Sequence, residues 1–79
     1  MEVNTIKNTI KDILQSTLGH DRFTMADELT AKDVDGWDSL SHMMIITKIE
    51  EVFEIKFKLR DLNKLKNMGS LVSVIQTKI

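Results

Sequence analysis

The sequence predicts an all-α fold: a small bundle of three longer helices and one short one, with a long loop between helices one and two. Three observations predict it. Apolar residues recur at three- and four-residue steps over residues 3–18, again after Asp38, and again after Asn67. Proline and cysteine are absent. The one stretch that alternates like a strand, Ile55-Lys56-Phe57-Lys58-Leu59-Arg60, has no second strand to pair with.

Helix one takes Val3, Ile6, Ile10, Ile13, Leu14 and Leu18 as its apolar face and stops at Gly19, a natural left-handed terminator. Residues 19–37 show no sustained period and are rich in Asp, Gly and Thr, so they read as a mostly irregular connection pinned to the core by Phe23, Met25 and Leu29. A loop of that length in so small a domain often carries function. Helix two begins at Asp38, a good N-cap, with Ser39 as its first helical residue, and runs to Phe53 or Glu54. The alternating stretch is read as an extended connection, followed by a short helix over Leu59, Leu62 and Leu65. Asn67 caps a last helix in which Leu71, Val74, Ile75 and Ile79 face inward.

The 79 residues form a single domain, residues 1–79, near the size at which a core alone struggles to hold a fold. No stretch approaches the roughly 20 apolar residues of a membrane span, and the first residues lack a signal peptide's basic-then-apolar order. A cytoplasmic monomer is expected. There is little room for an enzyme-sized cleft. Residues 1–54 hold eleven acidic and five basic side chains, whereas residues 55–79 hold one acid, Asp61, and six bases. That asymmetry suits steering of a charged partner. With no overall basic excess and no base-reading motif, nucleic-acid binding is not expected.

Stepping about 100° per residue along helix two separates two apolar stripes. Ile45, Ile46, Ile49, Val52 and Phe53 form the stripe assigned to the core. Leu40, Met43 and Met44 fall on the other side, with Thr47, Glu50 and Glu51. Either these three also pack inside, as in a central helix that is apolar nearly all round, or they form an exposed docking patch in which flexible Met side chains can meet several partners; a bundle this small has few helices to cover both stripes, which favours the patch.

Ser39 is followed three residues on by His42, which raises a serine hydrolase reading. That chemistry also needs an orienting carboxylate, an oxyanion hole and a dry pocket, which a first-turn serine on a small bundle does not supply. His42 is read instead as a packed or hydrogen-bonded residue at the core edge. Aligning Gly36 with the sixth position of a calcium loop puts Ala31 and His42 where carboxylates are required, so that match fails, and His20 and His42 lack metal-ligand spacing. No metal site is expected. What remains is a hydroxyl at a helix N-terminus, where unpaired N–H groups and the helix dipole favour an attached or bound phosphate.

Gly36-Trp37-Asp38-Ser39-Leu40, with Ile49-Glu50-Glu51-Val52-Phe53 closing the same helix, resembles the acyl carrier protein family. The helix order, the long first loop and the length agree as well, so the resemblance covers essentially the whole chain. It implies a covalent 4′-phosphopantetheine on Ser39, installed from coenzyme A by a phosphopantetheinyl transferase. Its thiol would hold an acyl, aminoacyl or polyketide chain as a thioester for loading, transferring and synthase enzymes, the chain itself being no enzyme. Asp38 would cap the helix and be read by the transferase, and Gly36 would allow the tight turn. Leu40, Met43, Met44, Thr47, Glu50 and Glu51 would meet partners, and Ile45, Ile49 and Phe53 would line an acyl cavity.

The usual fatty-acid form is acidic throughout, whereas this chain carries Lys58, Arg60, Lys64 and Lys66 around the third helix and Met44 at a position often held by glutamate. Fatty-acid synthesis, polyketide synthesis and another dedicated pathway all remain open. Trp37 either packs the loop on the bundle or lies beside the arm, and the sequence leaves both open. The alternative function is an unmodified binding module on the same fold, and the serine hydrolase stands behind both.

Overall fold

A computed structural model describes residues 2–79 as four helices: α1 (Val3–Leu18), α2 (Ser39–Phe53), α3 (Leu59–Asn63) and α4 (Met68–Lys78). No strand occurs among the described residues, and none of their helices is long and apolar enough to cross a membrane.

α1 buries Ile6, Ile10, Ile13 and Leu14, the residues its spacing places on one face. It ends at Gly19, where φ is 79° and the N–H returns to the Gln15 carbonyl. A side chain is strained at that angle, which is why glycine is there. α2 buries Ile45, Ile46, Ile49 and Phe53, and α4 buries Met68, Leu71, Val72, Val74 and Ile75. Ile6, Ile10, Leu14, Ile45, Ile49, Met68 and Ile75 are the most completely enclosed and make the centre of the core.

The long connection is anchored by both apolar and polar contacts. Phe23, Met25 and Leu29 pack against the core, as expected, and Val34 is buried with only 4% of its surface exposed. The first N–H groups of α4, at Met68 and Gly69, donate to the Leu29 and Asp27 carbonyls at 2.8 and 3.0 Å. A Cβ at Gly69 would stand 3.1 Å from the Asp27 Cβ, tighter than an ordinary contact, so any other residue there would push Asp27 back by a few tenths of an ångström. Asp27 also pairs with Lys7 of α1 at 2.8 Å, so one loop residue ties α1 to α4. Asn67 caps α4 through its Oδ1, which accepts the Ser70 N–H at 2.9 Å.

The connection is mostly irregular, as expected, with one 3-10 turn over Ala31–Asp33. Other expectations need correction. The short helix ends at Asn63, so Leu65 packs on the core from beyond it, and Leu59 is 75% exposed. Val52 and Ile79 are 48% and 49% exposed, not in the core. A helical wheel gives a side chain's direction but not whether a neighbouring element reaches that far along the axis. α4 compensates by burying Met68 and Val72.

α3 is held by a partly buried ion pair. Asp61 accepts the Lys58 N–H at 2.8 Å and pairs with Lys78 of α4, also at 2.8 Å. The Lys78 ammonium, then the Lys58 N–H, hold the Asp61 carboxyl below its ordinary value. A depressed carboxyl pKa stabilises the fold above the ordinary carboxylate range, and that stabilisation is lost as pH falls through the folded pKa. Asp61→Asn is therefore expected to lower Tm at neutral pH, and its deficit against the natural chain should narrow below about pH 4. Thermal melts across pH check this; a deficit independent of pH would assign the loss to something other than the ion pair.

Candidate functional site

The site is built around the N-terminus of α2. Val34 anchors the end of the loop in the core, and Gly36, at φ 84°, turns the chain toward the helix. Asp38 then caps α2: its Oδ1 accepts the Ser41 N–H at 2.9 Å, and its own N–H donates to Ser41 Oγ at 2.8 Å. The Ser41 hydroxyl donates to the Gly36 carbonyl at 2.7 Å, locking the turn to the helix. The Ser41 N–H first, then the Ser41 hydroxyl, which also stands 3.1 Å from Asp38 Oδ1 and shares its one proton between that oxygen and the Gly36 carbonyl, hold the Asp38 carboxyl below its ordinary value. Ser41 was missed in the sequence, although Asp-x-x-Ser ahead of an apolar run is a reciprocal-cap signal.

Ser39 is the first residue of α2 and is exposed. It borders an open groove with Ala31, Trp37, Asp38, His42 and Met43. Trp37, half-buried against the core, stacks on His42 with ring centroids 6.1 Å apart and donates its Nε1–H to His42 Nδ1 at 3.1 Å. An indole nitrogen only donates, so His42 Nδ1 is the acceptor and the neutral ring carries its proton on Nε2. The imidazole's one basic nitrogen is thereby occupied, which leaves no general base for Ser39 and removes the ground for a hydrolase. His42 is indeed a packed, hydrogen-bonded residue at the core edge. His20 has a related role in the loop, its Nδ1 accepting the Arg22 N–H and its Nε2 bonding the Asp35 carbonyl at 2.7 Å.

Along the outer face of α2, Leu40 is 73% exposed and Met43 and Met44 are each 53% exposed. With Thr47, Lys48 and Glu51 they line a shallow open groove. Glu50, expected beside them, is turned elsewhere: its carboxylate accepts the Phe57 N–H at 2.8 Å, and its carbonyl accepts the Glu54 and Ile55 N–H groups. It shapes the turn after α2, and Glu51 is the acidic rim residue that stays exposed. Ile45, Ile49 and Phe53 belong to the close-packed core. A partly open pocket of ≈ 70 Å³ near the site is bordered by Ile46 of α2, together with Leu29, Leu65, Met68 and Leu71, with Lys66 and Asn67 on its rim.

The site thus presents an exposed serine on a capped helix end, beside exposed apolar side chains of the same helix. The sequence pattern of the phosphopantetheine attachment site family matches residues 8–75. The chain is 31% identical over 70 residues to the acyl carrier protein of an Exiguobacterium species, covering 89% of each. It is 31% identical over 74 residues to that of Thermotoga maritima, covering 94% of this chain and 91% of the other. The fold is similar to the solution NMR structure of a holo acyl carrier protein from Geobacter metallireducens, with TM-score 0.84 and 38% identity over 91% of this chain and 83% of that one. The chain belongs to the acyl carrier protein family, whose members are non-catalytic carriers with a covalent 4′-phosphopantetheine.

The residues at the α2 N-terminus fit that group. Ser39 offers a hydroxyl, the first turn of α2 offers the positive end of its dipole to a phosphodiester, and an open groove leads away from both.

Replacing Ser41 with alanine removes the hydroxyl bond to Asp38 but keeps the backbone one. Ser41→Ala is expected to bring the Asp38 pKa part of the way back up to the ordinary carboxylate range. A carboxyl-carbon NMR titration of Asp38 reads this directly, and an unshifted midpoint would show that the hydroxyl has no hold on the cap.

Proposed function

We propose that this chain carries an acyl group as a thioester on a 4′-phosphopantetheine arm attached to Ser39, and presents it to the enzymes of a biosynthetic pathway. The observation that carries the reading is the placement of Ser39: exposed, first in the helix, and framed by the Asp38–Ser41 cap. Among the other serines, Ser41 and Ser70 have their hydroxyls bound into caps, and Ser16 and Ser73 lie within α1 and α4 rather than at the first position of a helix.

The phosphopantetheine thiol supplies the thioester chemistry. The protein's residues provide the frame. Gly36 and Asp38 fix the direction of the Ser39 side chain for a phosphopantetheinyl transferase, and the α2 N-terminus stabilises the negative charge placed there. A tether keeps its cargo at high effective concentration near whichever enzyme docks. Leu40, Met43, Met44 and Thr47 form the apolar part of that docking face, and Glu51 rims it for a basic partner surface. Fatty-acid, polyketide and other acyl-dependent syntheses all use this chemistry.

Incubation with coenzyme A, magnesium and a broad-range transferase is expected to add one phosphopantetheine mass to the natural chain and none to Ser39→Ala. No gain in the natural chain would leave the exposed Leu40–Met43–Met44 face as that of an unmodified binding module. In that case partner binding would survive Ser39→Ala and be lost in Met43→Glu.

The two neighbouring glutamates should separate by experiment. Glu51→Lys is expected to slow association with a basic partner, most at low salt, and to leave Tm nearly unchanged. Glu50→Lys is expected to lower Tm by breaking the bond to Phe57 N–H. Stopped-flow association and thermal melts distinguish the two; equal effects of both on association would return Glu50 to the docking face.

A further inference from the structure

The basic residues that follow Glu54 gather around α3, and the fold leaves most of them unpaired. Of the six bases in residues 55–79, Lys78 is spent on Asp61, the one acid of that segment. The other five, Lys56, Lys58, Arg60, Lys64 and Lys66, are exposed, and none forms an ion pair among the described residues.

α3 turns a definite face outward. At about 100° per residue, Leu59, Asn63, Arg60 and Lys64 share an arc of about 140°. All four are exposed, whereas Asp61 is buried and Leu62 half-buried on the opposite side. The Asp61–Lys78 pair and the bond from the Lys58 N–H to Asp61 hold that orientation. Lys56 and Lys58 lead into the face, and Lys66 follows it.

Nothing in the isolated fold rewards this arrangement. Arg60 and Lys64 are like charges four positions apart, a pairing that destabilises a helix. Leu59 is 75% exposed. A lone exposed leucine is ordinary, but this one stands among cations that have no acid to answer them. Local rules broken together in this way are expected where a surface serves a function.

We propose that the outer face of α3 is a second docking surface, for an acidic protein surface with an apolar socket that receives Leu59. Its polarity is opposite to that of the α2 face, where Glu51 rims exposed apolar side chains. A partner steered to one face is repelled by the other, so the two faces sort their partners by charge. The proposal does not depend on attachment at Ser39.

The charge distribution favours a folded protein over other polyanions. A membrane or a nucleic acid spreads its negative charge widely and would also face the eleven acids of residues 1–54. α3 is only about 7.5 Å long, within one Debye length, so a local acidic patch meets the cations and little else. Its outer face also carries no aromatic side chain on which bases could stack.

The probe is a synthetic amphipathic helical peptide, with leucines on one face and glutamates beside them, titrated into the full chain and followed by amide NMR. Shifts are expected over residues 56–66 and not along α2. Arg60→Glu with Lys64→Glu should weaken binding about tenfold, and Leu59→Ser should weaken it severalfold. Arg60→Gln with Lys64→Gln serves if the reversal unfolds the chain. Shifts centred on α2, no shifts at all, or binding indifferent to Leu59 would overturn the proposal. Tighter binding of phosphatidylglycerol vesicles or of duplex DNA would overturn it too, by giving the face to a membrane or a nucleic acid. In the native cell, a photo-crosslinking residue in place of Asn63 should form a protein adduct, mapped to an acidic segment of the partner, that the charge reversal abolishes. No adduct, or one that survives the reversal, would contradict the proposal. Ser39→Ala should leave every one of these readouts unchanged, so a failure of attachment and a failure of this second face are told apart.

Discussion

Ile45 and Ile49 have no exposed surface, and their enclosure sets the rotation of α2 about its own axis. α2 is apolar on two sides, so rotation is the choice the fold must make. Each fully buried side chain of this size is worth about 1.5–3 kcal/mol. Turning α2 to bury Met43 and Met44 would expose the isoleucines and trade branched, well-filled packing for flexible methionine. α1 and α4 supply the rest of the core, and α3 is too short to blanket a second face. Leu40, Met43 and Met44 therefore stay outside, next to Ser39, because the core has been satisfied elsewhere. The exposed apolar face is a consequence of core packing as much as of its own composition.

The same rotation presents the N-terminus of α2 to solvent, where local bonds take over. Asp38 places a carboxylate one residue from the Ser39 hydroxyl, so a phosphodiester at Ser39, as proposed, would stand beside a negative charge. The cost would be contained. The carboxylate is engaged with Ser41, the helix end is positive, and two charges about 4 Å apart in water interact by only about 1 kcal/mol. In return the cap fixes the first turn of α2, and with it the setting of Ser39. Loop and cap are continuous through the Ser41–Gly36 bond, and the loop is in turn tied to α1 and α4 through Asp27. A change in the loop therefore reaches the serine through backbone connections.

Where a feature obeys a local rule, the residues announced it. Gly19 ends α1, Asp38 and Asn67 cap their helices, and the isoleucine spacing names the core of α1, all without reference to the rest of the chain. The exposure of Ser39 and of the Leu40–Met43–Met44 face is equally legible, since a cap position and a helical wheel suffice. The misses depend on partners distant in sequence or on the reach of a neighbour. Val52 points toward the core side, but nothing covers it there. Glu50 looks like its neighbour Glu51 until the turn brings the Phe57 N–H to it. Asp61 and Lys78 stand seventeen positions apart and meet only when α3 and α4 pack. Trp37 does both things its sequence context allows, since its ring packs on the bundle and also borders the groove shared with Ser39.

The central claim is that the α2 N-terminus, and no other hydroxyl of the chain, is the point of attachment. A phosphorus–proton correlation NMR spectrum of the chain after treatment with coenzyme A and a transferase tests it at the level of the bond. The account predicts a single phosphodiester signal that correlates with the β-protons of Ser39. A correlation to Ser16, Ser41, Ser70 or Ser73, or no protein-bound phosphorus at all, would contradict it.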